Sequence, residues 1–363
     1  MMRLPWFEYH APKTVAEAAR ILAAEGPQAM LIAGGTDLLP NMKRRHQSPA
    51  TLVSLRQVEG LKKVANGGRL TDGSKGGRQG GPEAGFEGGF SGGLTLGAGL
   101  TLTEIVNTAA VREKYPALWQ AAAQVATPHL RNMGTLGGNL CLDTRCTYYN
   151  QNHEWRKAID FCMKKDGKIC WVATASKRCL AVSSTDTAPA LIALGAGVKL
   201  VSAAGEREVA LVDLYRNDGM EYLARSSGEI LTEVTLPDLN GWKSTYWKLR
   251  RRGSFDFPVL GVAAAVRTAR DGTVAEARVV LGAVSSRPLL TKAGDLLVGR
   301  KLTDEAIAAA GDKASSAAKP MDNTDLDLYW RRDVVSSFVG YALREIRGDD
   351  MRATRMRIAR QAL

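Results

Sequence analysis

Five cysteines, Cys141, Cys146, Cys162, Cys170 and Cys179, fall within one stretch of 39 residues in a chain of 363, and there are no others. Such clustering needs a local cause. Disulfide frameworks belong mainly to short secreted chains, so ligation of a metal or cluster is the leading alternative. After Cys141 the cysteines are 16, 8 and 9 positions apart. Those gaps match neither the CxxC pairs of zinc ribbons nor the CxxCxxC of bacterial ferredoxins. Four thiolates satisfy either a tetrahedral Zn²⁺ or a 4Fe-4S cluster, and long gaps mean only that the loop wraps around the site. His153 lies in the same loop, but four cysteines complete a site without it, so it reads as a surface or packing residue.

Two glycine turns read as each following an apolar strand: Ala33-Gly34-Gly35-Thr36-Asp37 and Gly134-Thr135-Leu136-Gly137-Gly138-Asn139. Glycine adopts positive φ freely and leaves its N–H accessible, so successive amides can form a concave nest for phosphate oxygens, helped here by the Thr36 and Thr135 hydroxyls. Two such nests could grip one pyrophosphate, although either alone reads first as a tight turn at a strand end. Neither is GxGxxG or GxxxxGK[ST], which argues against a Rossmann nicotinamide site or a P-loop.

The elements around these groups read as follows. A strand at Phe7 to Tyr9 precedes a helix capped by Thr14 and stopped by Gly26, then a strand leads into Gly34 and a further strand covers TLVSL. Residues 67–93 are so rich in glycine that they read as a flexible surface insertion. LTLGAGLTLTEI is a strand and then a helix, Pro116 to Val125 a further helix, TDTAPALIALGAGVKLVSAAG helix then strand, and the mixed α/β pattern continues through EILTEVTLP. From about Gly241, three consecutive antiparallel strands are followed by two helices for one face, an α+β unit.

Composition is that of an ordinary globular protein, 45% hydrophobic and 24% charged. No stretch approaches the roughly 20 apolar residues of a membrane span. The opening MMRLPWFEYHAPKT has no apolar h-region, so a cytoplasmic location without membrane attachment is expected. The net charge of +12 is scattered, and its densest cluster, Lys248 with Arg250, Arg251 and Arg252, has no interleaved aromatics. It reads as a solvated face or one for an acidic partner or anionic cofactor, and not as a nucleic-acid site.

In order and spacing, LIAGGTDLL, LGAGLTLTEI, LRNMGTLGGN, SSTDTAPAL, EILTEVTLP and YWKLRRRGSFDFP resemble the FAD-binding subunits of the molybdenum hydroxylases, over nearly the whole chain. The resemblance implies an α+β chain with a vanillyl-alcohol-oxidase or PCMH-type FAD-binding fold of two α/β subdomains, followed by a C-terminal antiparallel sheet with helices on one face. The expected boundaries are 1–60, 61–240 and 241–363, with the glycine-rich insertion at 67–93 and a cysteine loop at 140–183. It implies that Leu31, Ile32, Ala33, Gly34, Gly35, Thr36, Asp37 and Leu38, with Gly134, Thr135, Leu136, Gly137, Gly138 and Asn139, hold the pyrophosphate and ribityl chain. It places Asp186 against the cofactor as a hydrogen-bond acceptor, Leu231 near the ring system and Lys248 near the isoalloxazine. A carboxylate suits ribityl hydroxyls and a cation near the N1/O2 edge stabilises a reduced anionic flavin. On the residues alone, Asp186 is as readily a helix cap, and Lys248 reads as a solvated strand charge.

The segment CLDTRCTYYNQNHEWRKAIDFC and the two cysteines after it are similar to the flavin subunits of 4-hydroxybenzoyl-CoA reductases. That similarity implies a 4Fe-4S cluster on Cys146, Cys162, Cys170 and Cys179, with Cys141 left to line the FAD pocket. Beside a flavin, a one-electron carrier has a redox use that zinc lacks. The expectation is then an oxidoreductase subunit without catalytic residues of its own, relaying electrons from ferredoxin to partner subunits bearing the molybdenum cofactor and 2Fe-2S clusters, for dehydroxylation of 4-hydroxybenzoyl-CoA. The alternatives are a flavin subunit of an aldehyde or purine oxidising complex, and a zinc-stabilised interaction module.

Overall fold

The computed structural model describes residues 3–66 and 93–360, so the glycine-rich insertion falls outside the described residues except for Gly93. The first sheet is parallel. Strands β1 (Glu8–His10), β2 (Ala29–Ile32) and β3 (Thr51–Ser54) lie in the order β1-β3-β2. Parallel strands of one sheet need crossovers, and the helix Val15–Glu25 supplies the one from β1 to β2, on either side of β3. That helix starts where the Thr14 hydroxyl accepts from the Glu17 N–H at 3.1 Å, ends at Gly26 with φ of 61°, and buries Ala18, Ala19 and Leu22.

The second sheet contains β4 (Val64–Asn66), β5 (Leu94–Gly97), β6 (Gly197–Ser202), β7 (Gly205–Ala210) and β8 (Ile230–Leu236), in the order β4-β5-β8-β6-β7. Every pair in it is antiparallel, so the alternation of helix and strand along the sequence does not produce a parallel α/β layer here. The two-residue connection from Ser202 to Gly205 forces a hairpin between β6 and β7. Helices Pro116–Ala123 and Thr187–Ala193 share its core, in which Leu96, Leu118, Leu191, Val198 and Val234 are buried.

The third sheet, β9 (Trp242–Leu249), β10 (Leu260–Thr268), β11 (Val274–Gly282) and β12 (Leu289–Thr291), is an antiparallel meander in the order β12-β11-β10-β9. Its side chains alternate between two cores, as the period of two requires. Trp247, Val262, Ala264 and Val266 pack with Ile307 and Phe338 of the helices Asp304–Ala317 and Leu328–Arg347. Tyr246, Ala263 and Ala265 join the core of the second sheet instead. Lys248 has the parity of Tyr246, which directs it into the protein.

Candidate functional site

The structure brings the two glycine turns into contact. Leu31 and Ile32 end β2, Ala33 to Thr36 form the first turn, and Asp37 and Leu38 open the helix Leu38–Lys43. Gly134 precedes Thr135, which caps the single turn Leu136–Leu140 by accepting from the Gly138 N–H at 3.0 Å. A Cβ on Gly34 would lie 1.9 Å from the Met133 carbonyl oxygen and 3.0 Å from the Gly134 Cα, and one on Gly134 would lie 3.5 Å from Thr36 Oγ1. Only glycine lets these backbones close together, and Gly35 adds a φ of +70°. The result is a cradle whose first turn leaves the N–H groups of Gly34, Gly35 and Thr36 without an acceptor among the described residues, which suits a pyrophosphate. In the second turn the N–H groups of Gly134, Leu136, Gly137 and Gly138 are engaged, by the carbonyls of Leu130, Leu100 and Ala98 and by Thr135 Oγ1.

Asn139, the last residue of the second turn, is buried, and its Oδ1 accepts from Thr185 Oγ1 at 2.8 Å and Thr187 Oγ1 at 2.6 Å. This fastens the cradle to the segment carrying Asp186. Beside these residues, Ser184 Oγ is buried without a protein hydrogen-bond partner, a position open to a ligand's polar group.

Asp186 and Lys248 meet directly, with Nζ to Oδ2 at 2.9 Å. Tyr246 donates its hydroxyl to Asp186 Oδ1 at 2.8 Å, and Lys248 also donates to the Gln124 carbonyl at 3.1 Å. Burial pushes the Asp186 carboxyl above its usual range and the Lys248 ammonium below its own, each opposed by the other ion. Two simpler readings are thereby excluded. Asp186 makes no side-chain cap to the helix Thr187–Ala193, because its carboxylate turns to β9 and Thr185 Oγ1 takes the Ala188 N–H instead. Lys248 is no solvated charge, since its side chain is 0% exposed. Leu231 lies buried in β8 opposite Leu200.

The four cysteines Cys146, Cys162, Cys170 and Cys179 are all buried and line one cavity with Tyr149, Lys164 and Trp171. Tight turns present them. The Cys162 carbonyl accepts from the N–H groups of Lys165 and Gly167, with Asp160, Phe161 and Asp166 at positive φ around it. Burial raises the Cys146 thiol to about 11 and the Cys179 thiol to about 12, so without a cation both stay protonated. Cys141 is partly exposed and does not line the cavity. His153 is a surface residue against Glu154 and Phe161, as expected.

Several functional neighbours were not singled out from sequence. Arg145, next to Cys146, ion-pairs with Asp37 of the first glycine turn, donates to Asn41 Oδ1 at 3.1 Å and lies 5.1 Å from the Phe257 ring. Asp37 is therefore engaged by the cysteine loop. Arg145 and Val182 also exchange two backbone hydrogen bonds, which close the loop at its base. Lys164, Asp143 and Tyr246 were missed as well. For Tyr246 the signal was available, because it stands two residues from Lys248 on one strand.

Residues 5–72 and 87–239 match the family described as FAD binding domain in molybdopterin dehydrogenase, and residues 244–346 match the CO dehydrogenase flavoprotein C-terminal domain. The chain is 32% identical over 339 residues to the aldehyde oxidoreductase FAD-binding subunit PaoB of Escherichia coli, covering 91% of this chain and 96% of that one. It is 26% identical over 344 residues to the carbon monoxide dehydrogenase medium chain of Hydrogenophaga pseudoflava, covering 93% and 96% respectively. A solved structure of carbon monoxide dehydrogenase from that organism superposes with a TM-score of 0.73 at 26% identity, over 95% of this chain and 98% of that one. With both matched regions in sequence order and the glycine cradle formed, the chain belongs to the family of FAD-binding medium subunits of the molybdenum hydroxylases.

Proposed function

We propose that the chain is an electron-transfer subunit that holds FAD at the joined glycine turns and a 4Fe-4S cluster on Cys146, Cys162, Cys170 and Cys179. The observation that carries this reading is the convergence of four buried thiols on one cavity, in a loop tied by Arg145 to the first glycine turn. The cavity is lined by four cysteines and no histidine, a donor set that suits a 4Fe-4S cluster or a tetrahedral Zn²⁺, and beside a flavin the cluster has a redox use that zinc lacks.

In this reading the amides of Gly34 to Thr36 bind the pyrophosphate, the second turn from Gly134 to Gly138 packs closely against them to complete the cradle, and Asn139 holds that turn in place. Asp186 and Lys248 form the polar wall toward the isoalloxazine and Leu231 an apolar one. Bound FAD supplies exchange between two-electron and one-electron carriers. The chain's own residues position the cofactors and exclude water. Partner subunits bearing the molybdenum cofactor and 2Fe-2S clusters perform the substrate chemistry.

Two substrate readings remain proposals. The 32% identity over 91% of the chain to an aldehyde oxidoreductase subunit favours aldehyde oxidation, with electrons leaving through this chain. Reductive dehydroxylation of 4-hydroxybenzoyl-CoA rests on the likeness of the cysteine segment, and ferredoxin as donor on the use an added one-electron carrier would have. Turnover by the assembled complex separates them: aldehyde with an oxidised dye, against 4-hydroxybenzoyl-CoA with a reduced low-potential dye. The cofactor content is tested by anaerobic isolation, where flavin bands with about four iron and four labile sulfide per chain are expected. Zinc without flavin would make the chain the interaction module instead.

A further inference from the structure

Lys164 lines the cysteine cavity, yet its ammonium is turned away from bulk water. Its side chain and that of Asp143 are each 6% exposed and meet with Nζ to Oδ1 at 2.8 Å. The ammonium also donates to Thr144 Oγ1 at 2.7 Å and to the Gly219 carbonyl at 2.6 Å, so three partners take its three protons. Gly219 presses on the cysteine site: a Cβ there would lie 2.8 Å from Cys179 Sγ, and its N–H donates to the Cys179 carbonyl at 2.9 Å. One carbonyl group thus links the ammonium to a residue that has no room for a side chain beside a cysteine sulfur. The Tyr149 and Tyr222 rings, 4.8 and 5.4 Å from Nζ, wall the cation in. Asp143 stands behind, outside the cavity lining, with Oδ2 accepting from the Tyr149 hydroxyl at 3.0 Å and from Gln47 Nε2 at 3.5 Å. Of this buried pair, Lys164 lines the cavity with the sulfurs and Asp143 does not, which sets the cationic partner nearer the sulfurs in a place where charge is poorly screened.

We propose that Lys164 and Asp143 form an oriented ion pair that raises the reduction potential of the cluster held by the four cysteines. The inference rests on the cluster reading above. Reduction adds one electron to the cluster and moves no proton at the pair; the nearer cation stabilises the added negative charge more than the farther carboxylate opposes it. Lys164 is a positioning residue, since its ammonium acts through space and through Gly219.

The test is an EPR-monitored titration of the anaerobically isolated chain with dithionite and ferricyanide. Lys164→Gln is expected to lower the cluster potential and Asp143→Asn to raise it, opposite shifts that general loosening of the loop would not produce. Shifts of the same sign, or none, would overturn the proposal. Because removing one ion strands the other, the double variant Lys164→Met with Asp143→Asn is titrated as well. Its potential should fall below that of the wild type, and a value at or above it would sink the idea. Failure of the underlying reading looks different: the wild-type chain itself would then contain no iron or labile sulfide.

Discussion

At the scale of single residues, Asp186 illustrates how burial changes the consequence of a mutation. Its carboxylate neutralises an ammonium that has no access to water, so Asp186→Ala leaves Lys248 buried without its counter-ion and hydrogen-bonded to the Gln124 carbonyl. The expected cost is about 3–5 kcal/mol, read as a lowered denaturation midpoint, whereas Asp186→Leu with Lys248→Met should be close to neutral for stability. A cost below about 1 kcal/mol for Asp186→Ala would mean that the pair is not isolated from solvent. His46 makes a pH prediction. It stacks on Tyr149 at 4.2 Å, and burial, then the nearby Arg156 cation, lowers it from 6.5 to about 4. The unfolded chain takes up this proton near 6.5 and the folded one only near 4. Its contribution is therefore complete above pH 6.5 and is lost as the pH falls through 4, by up to about 3 kcal/mol. His46→Phe should flatten stability over that window, and an unchanged slope would place the acid sensitivity elsewhere.

At the scale of elements, the glycine turns and the cysteine loop each permit a sharp test. Gly34→Ala puts a methyl group where the Met133 carbonyl already lies, so the turns must part and FAD should be lost on gel filtration. Stoichiometric flavin in that variant would show that the cradle is not the binding site. Cys162→Ser should lose its iron while Cys141→Ser keeps it, because only the former side chain lines the cavity. The strands and helices near these turns were readable from sequence, since periodicity of two and 3.6 records which face is buried. The antiparallel pairing of the second sheet was less so, because strand order depends on long-range contacts that no local pattern carries. Lys248 shows the same limit: a charge on a strand reads as solvated until the second core covering that face is seen.

For the whole molecule, the two proposed cofactor sites form one structural unit. The ion pair from Arg145 to Asp37 joins the cysteine loop to the first glycine turn, and the Phe257 ring brings in the segment after β9. Occupancy at one site should then favour the other, with reciprocal coupling of about tenfold in FAD dissociation between cluster-loaded and Cys162→Ser protein. Equal dissociation constants would show that the bridge carries no coupling. This link was hidden in sequence because its ends are 108 positions apart, and adjacency of Arg145 to Cys146 does not say where the side chain reaches.

The closure of the cysteine loop has an evolutionary meaning. The chain leaves the flavin-binding body at Arg145 and returns at Val182, its immediate backbone neighbour, so everything between is an excursion from a point to the same point. A detour of that kind can be acquired or discarded in one genetic event without re-registering the strands on either side. A flavin subunit with such a detour carries its four clustered thiols as an appendage, with the strands of the older body on either side kept in register.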